Sequence, residues 1–183
     1  MSACPAGSHF DLGFPALISA WKWRVPPDNA CDVRVELREA KPEDLPDLLG
    51  LYAQLTQGTP SAAPGDESVS IAALNRVLQP RGRHLLVAVI DGEVVGTADL
   101  AVIDNVTHHG MPWGIVENVV VRDDLRRRGV ARALLAEIEQ IARAANCHKV
   151  GLLSGKHRLE AHALYEQAGY RPVAEGFKLY FDR

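Results

Sequence analysis

The sequence predicts a mixed α/β fold, one central sheet with helices on both faces, and three observations carry that prediction. Two apolar segments, 85–90 and 94–103, flank Asp91-Gly92, a two-residue signal for a tight hairpin between antiparallel strands. The β-branched run Val119-Val120-Val121 leads through a basic turn into a stretch where Val130, Leu134, Ile138, Ile141 and Ala145 recur at helical spacing. Across the chain the periodicities run β, α, α, three strands, α, β, α, β, an order that layering resolves as a mixed sheet covered on two sides.

Residues 1–32 read as an N-terminal extension: proline and glycine are frequent, and no basic residue precedes the short apolar patch from Phe14 to Trp23, as a secretory signal requires. Residues 33–183 read as one domain. Val33 to Arg38 alternates as a strand with one apolar face. Pro42 suits a first helical turn, Glu43 and Asp44 favour the positive end of the helix dipole, and Leu45, Leu48, Leu49, Tyr52 and Leu55 form its buried stripe. Residues 57–66 have the composition of an exposed loop, and a second helix from Glu67 to Leu78 stops before Pro80. Both hairpin strands are expected at the centre of the sheet. The loop from Asp104 to Trp113 leads into the strand carrying Glu117. After the long helix come a strand over Lys149 to Leu153, a short helix from Glu160 to Ala168 with Gly169 as a left-handed stop, and a last strand over Phe177 to Phe181.

The 183 residues, 47% hydrophobic and 23% charged, suit a single globular core. A net charge of -3 argues against a general nucleic-acid binder. No apolar run approaches the roughly 20 residues that cross a bilayer. Cys4, Cys31 and Cys147 are odd in number and widely spaced, which indicates neither a disulfide framework nor a Cys-x-x-Cys metal site and suits a reducing, cytoplasmic setting. No metal is expected, since adjacent His108 and His109 on a loop do not face one point as an i, i+4 helical pair can.

The basic turn is the most informative feature. Arg126, Arg127, Arg128 and Arg132 surround Gly129 where the long helix begins. A helix start leaves about four backbone N–H groups without internal acceptors and carries roughly half a positive charge, so it holds an anion without a dedicated side chain. The spacing Arg126-x-x-Gly129-x-Ala131 resembles the Arg/Gln-x-x-Gly-x-Gly/Ala signature of the GCN5-related N-acetyltransferases (GNAT). The preceding Val119–Val121 run, the Asn146-Cys-His-Lys149 junction and Ala161-x-x-x-Tyr165-x-x-x-Gly169-Tyr170 resemble the same family in the same order.

That resemblance implies acetyl coenzyme A as co-substrate and a fourth strand splayed from the fifth, with the pantetheine arm lying along the backbone of Val119, Val120 and Val121. It implies a diphosphate held by amides of Arg127, Arg128, Gly129, Val130, Ala131 and Arg132 beside Arg126, with Arg158 as a further cofactor contact. Where many relatives have glycine, Arg127 stands here, so its backbone must accept a side chain.

An ammonium has no lone pair, so acyl transfer to an amine wants a base, and the departing thiolate benefits from an acid. Glu117 is acidic inside an apolar strand, and the resemblance implies a base or water-relaying role; a structural hydrogen-bond partner or an edge-strand charge fits the same residue. Tyr165 corresponds to the family's acid, and also fits a packed core aromatic. Asn105, His108 and Asn118 are candidates to line the acceptor pocket, with Asn118 and Glu117 alternating in direction along the strand. Lys156, Arg158, His108 and His109 could receive an anionic acceptor. Cys147 lacks an evident activating base, so direct transfer in a ternary complex is preferred to a covalent acyl-cysteine.

The expected activity is transfer of acetyl to a primary amine of a small molecule. A peptide or protein N-acetyltransferase and a non-catalytic acyl coenzyme A-binding regulatory protein are the alternatives. The apolar 177–181 strand offers an edge for a homodimer.

Overall fold

The computed structural model describes residues 21–24, 34–55, 67–79 and 82–181. The expected loop over 57–66, most of the N-terminal extension, Cys4 and Cys31 lie outside these residues. Among the described residues six strands form one sheet in chain order: β1 Trp21–Arg24, β2 Arg34–Glu39, β3 Arg83–Ile90, β4 Glu93–Ile103, β5 Trp113–Val121 and β6 Val150–Leu152. All neighbours run antiparallel except β5 and β6, which are parallel. The sheet thus takes in Trp21–Arg24, from within the stretch read as an extension. The hairpin between β3 and β4 turns on Asp91 (φ 52°) and Gly92 (φ 88°), the left-handed pair such a two-residue turn requires.

Helices α1 Leu45–Leu55 and α2 Glu67–Val77 cover one face, where Leu48, Leu51 and Leu74 pack on Leu85, Val87, Val89, Val94 and Val120. Helix α3 Val130–Ala144 covers the other, setting Val130, Ala133, Leu134, Ile138 and Ala142 against Leu86, Ala98, Leu100 and Val116; α4 Leu159–Gln167 adds Tyr165 to that layer. Alternation along each strand feeds both layers, the pattern that central strands need.

Caps follow local chemistry. Asp44, buried in the short 3-10 turn Pro42–Asp44 that opens α1, accepts the Lys41 amide at 2.7 Å and two bonds from Arg38 at 2.7 and 2.8 Å. Asn146 (φ 57°) ends the run from α3, and Gly169 (φ 88°) ends that from α4.

One expected element does not form. Residues 171–181 are exposed and outside any strand. β6 offers an edge of only three residues, and the chain passes over Leu153 instead, so close that a Cβ on Gly176 would lie 2.7 Å from Leu153 Cδ2.

Candidate active site

The parallel ladder between β5 and β6 is short. It begins at Gly114 opposite Val150 and ends at Val116 opposite Leu152. From Glu117 onward β5 keeps only β4 as a partner among the described residues, so its other edge faces a gap. Val116, Glu117, Asn118 and Val119 line this gap from one side, Leu152, Leu153 and Gly155 from the other, and Leu55, Arg158, Tyr165 and Lys178 complete the lining.

A bulge marks the same place. Between the pairs Asp99↔Glu117 and Thr97↔Val120, β4 advances two residues and β5 three. Asn118 takes up the extra residue at φ 55°, a left-handed conformation that asparagine tolerates better than most side chains. This corrects the expected alternation, because Glu117 and Asn118 both line the gap.

Glu117 is exposed and stands opposite Asp99, so the two share the sheet face turned toward α1. Tyr165 is buried to 8% exposure and belongs to the layer on the opposite face. The splay lets side chains from the two faces reach one cleft. Burial raises the Tyr165 phenol above its ordinary pKa; Arg158 opposes this and the charge of Glu117 adds to it. The phenol is therefore protonated at neutral pH and able to donate. Tyr170 packs edge-on against Tyr165 with ring centres 6.1 Å apart, and burial pushes its own pKa to about 12.

Beyond β5, the turn Asp123–Leu125 leads to a loop in which Arg127 (φ 58°) and Gly129 (φ 81°) are both left-handed. Arg127 accepts the conformation that its position demanded. Alternating handedness curls successive amides toward one side, the geometry of an anion nest. The Ala133 amide bonds the Gly129 carbonyl at 3.0 Å, so those of Val130, Ala131 and Arg132 precede the first helical bond. Gly96 permits close approach here, since a Cβ would lie 3.2 Å from the Val120 carbonyl and 3.3 Å from Val130 Cγ1.

A family model described as "Acetyltransferase (GNAT) family" matches residues 48–170. The chain belongs to the GNAT acetyltransferases. Over 76% of its length it is 32% identical to a glucosamine 6-phosphate N-acetyltransferase of Trypanosoma brucei brucei, covering 90% of that protein. It is 28% identical to an aminoalkylphosphonate N-acetyltransferase of Salmonella typhimurium, over 74% of this chain and 84% of that one. A crystal structure of a Trypanosoma brucei acetyltransferase superposes with a TM-score of 0.69 at 28% identity, over 80% of this chain and 99% of that one. This GNAT protein is accordingly an acetyl coenzyme A-dependent N-acetyltransferase.

The site fits a long anionic thioester. The β5 edge from Glu117 is open for main-chain bonding, the Arg127–Arg132 loop presents amides, and the Ser154 hydroxyl, between the lining residues Leu153 and Gly155, is buried without a partner among the described residues. Arg126 pairs with Asp123 at 2.5 Å, while Arg158 stands at the α4 N-cap in the cleft lining.

Asn105 and His108 are not among the residues lining the cleft. They belong to the loop before β5, where the Asn105 side-chain oxygen accepts from the Thr107 amide and hydroxyl, and the His108 ring stacks on His148 at 4.1 Å. Burial raises the Cys147 thiol pKa, which leaves it a poor nucleophile. Sequence reasoning missed Arg83 and Asp99. Asp99, an acid within the apolar 94–103 strand, carries the same kind of signal as Glu117, but only the register brings it opposite Glu117.

Proposed function

We propose that this acetyltransferase acts on a primary amine of a small molecule by direct transfer in a ternary complex. The observation that carries the proposal is the convergence of Glu117 and Tyr165 from opposite sheet faces on one cleft between β5 and β6. Glu117, directly or through a water, takes the proton from the attacking ammonium, and the freed nitrogen forms its bond to the acetyl carbon. As the carbon–sulfur bond breaks, Tyr165 gives its proton to the departing sulfur, and the second proton that the nitrogen sheds on becoming an amide returns to the phenol. When bound, acetyl coenzyme A supplies the activated acyl group. Val119 to Val121 would orient its arm by main-chain bonds, and the amides of Arg127 to Arg132 would hold its diphosphate.

The names of the two curated relatives above, one for an amino-sugar phosphate and the other for aminoalkylphosphonates, support a small anionic amine as acceptor. Lys178 and Arg158 in the lining agree with that charge. Transfer that is faster to peptides than to any small amine would overturn the choice.

A homodimer belongs to the same proposal. Val173, Phe177, Leu179, Tyr180 and Phe181 are each 80–88% exposed on a segment without strand partners. The aromatic side chains Phe177, Tyr180 and Phe181 can bury about 150–250 Å² each, a large part of the roughly 800 Å² per partner of a stable interface. We place the enzyme in the cytoplasm.

A further inference from the structure

On the sheet face that carries Glu117, β3 and β4 hold a charged pair that the acyl-transfer chemistry does not use. Asp99 on β4 is nearly fully buried, with 4% of its side chain exposed. Its carboxylate accepts from Arg83 Nε at 3.0 and 3.2 Å and from Arg83 Nη2 in a still shorter contact. Arg83 itself is 43% exposed. Tyr52 of α1 stands over the pair. Burial raises its pKa, the Asp99 charge adds to the rise, and a hydrogen bond to Thr97 opposes it.

The register fixes where this cation lies. Leu85, Asp99 and Glu117 form one row across β3, β4 and β5, and Arg83, Ala101 and Ile115 form the next row of the same set. Arg83 reaches along the sheet to Asp99, directly opposite Glu117, and the Glu117 charge is among those that raise the Arg83 pKa after the dominant Asp99 bond. Neighbouring strands are about 4.8 Å apart, which puts the guanidinium roughly 5–10 Å from the Glu117 carboxylate.

Burying a carboxylate costs several kcal/mol before its partner offsets it, so such a pair is a weak device for stability. It is a good device for aiming a guanidinium. One edge of the Arg83 fork, Nε and Nη2, is spent on Asp99, and 43% of the side chain remains exposed to meet an anion.

We propose that Arg83, clamped by Asp99, is the anion-binding residue of the acceptor subsite, selecting amines that carry a phosphate one to two strand spacings from the reacting nitrogen. This rests on Glu117 marking where that nitrogen sits. An amino-sugar phosphate has such a span. An α-amino acid, whose carboxylate is two bonds from its nitrogen, is too short to reach both groups, and a polyamine would bring a second cation against Arg83.

The test compares glucosamine 6-phosphate with glucosamine on the full chain. The wild type should favour the phosphorylated sugar in kcat/KM, and Arg83→Gln should cut that preference at least tenfold through the KM of the phosphorylated acceptor. Asp99→Asn should do the same in part, by releasing the clamp, and acetyl coenzyme A binding within twofold of wild type would certify that each variant is folded. Calorimetric binding of both sugars to coenzyme A-saturated protein gives the same comparison without turnover. Equal handling of the two sugars by the wild type, or an unmoved preference in folded Arg83→Gln, would overturn the proposal. Acetylation of neutral amines regardless of Arg83 would do so while leaving the transferase assignment standing.

Discussion

Glu117 and Tyr165 differ in what their substitution should reveal. Glu117→Gln keeps the shape and removes the base, so kcat should fall by about 10²–10⁴ with acetyl coenzyme A affinity within a few-fold; stopped-flow or steady-state turnover beside calorimetry separates the two. Tyr165→Phe should slow the chemical step while the fold holds, because the ring and its edge contact with Tyr170 remain. Since burial raises the Tyr165 pKa above the ordinary phenol value of about 10, the wild-type rate should show no alkaline fall from this group up to pH 9. A limb below that pH which disappears in Tyr165→Phe would contradict the assignment. Glu117 stands out in the sequence as an acid within an apolar strand, whereas Tyr165 stands out only through the family motif that its segment resembles. Asp99 interrupts its apolar strand as Glu117 does, but its pairing with Arg83 and its place opposite Glu117 appear only when β3, β4 and β5 are brought into register.

Among the elements, the hairpin, α3 and the left-handed stops were readable because turn chemistry and helical period are local. The bulge at Asn118 and the short β5–β6 ladder were not, since an extra residue on one strand is defined only against its partner. The bulge predicts a simple series. Asn118→Gly should keep stability and turnover, whereas Asn118→Val, forced into a left-handed conformation, should lose about 1–2 kcal/mol in denaturant melts and reduce activity with it. Helix α3 carries a second test. Glu137 is 7% exposed on its buried face, and burial, with Glu39 adding, raises its pKa. Folding therefore disfavours its ionised form: the cost is absent below the unfolded pKa and grows as pH rises through the folded one. Glu137→Gln should melt higher than wild type at pH 7, with the gap closing toward pH 4. The last strand failed for a reason outside local sequence. Alternating Phe177, Leu179 and Phe181 favour extended chain, but a strand needs an edge of matching length, and β6 supplies three residues.

At the scale of the whole molecule, the sheet brings residues from two layers to one gap, and the proposed dimer would pair through the exposed 173–181 segment. Light scattering at micromolar concentration should give a dimer, and Phe177→Ser with Phe181→Ser should shift it toward monomer; a monomeric wild type would contradict the pairing. The most direct test of the central claim is coenzyme A thiol release from acetyl coenzyme A against amino sugars and their phosphates, aminophosphonates, polyamines, amino acids and peptides, with Glu117→Gln run alongside. The account predicts release that depends on a small anionic amine and falls by about 10²-fold or more in Glu117→Gln. Release only with peptides, or a rate that Glu117→Gln leaves untouched, would contradict it.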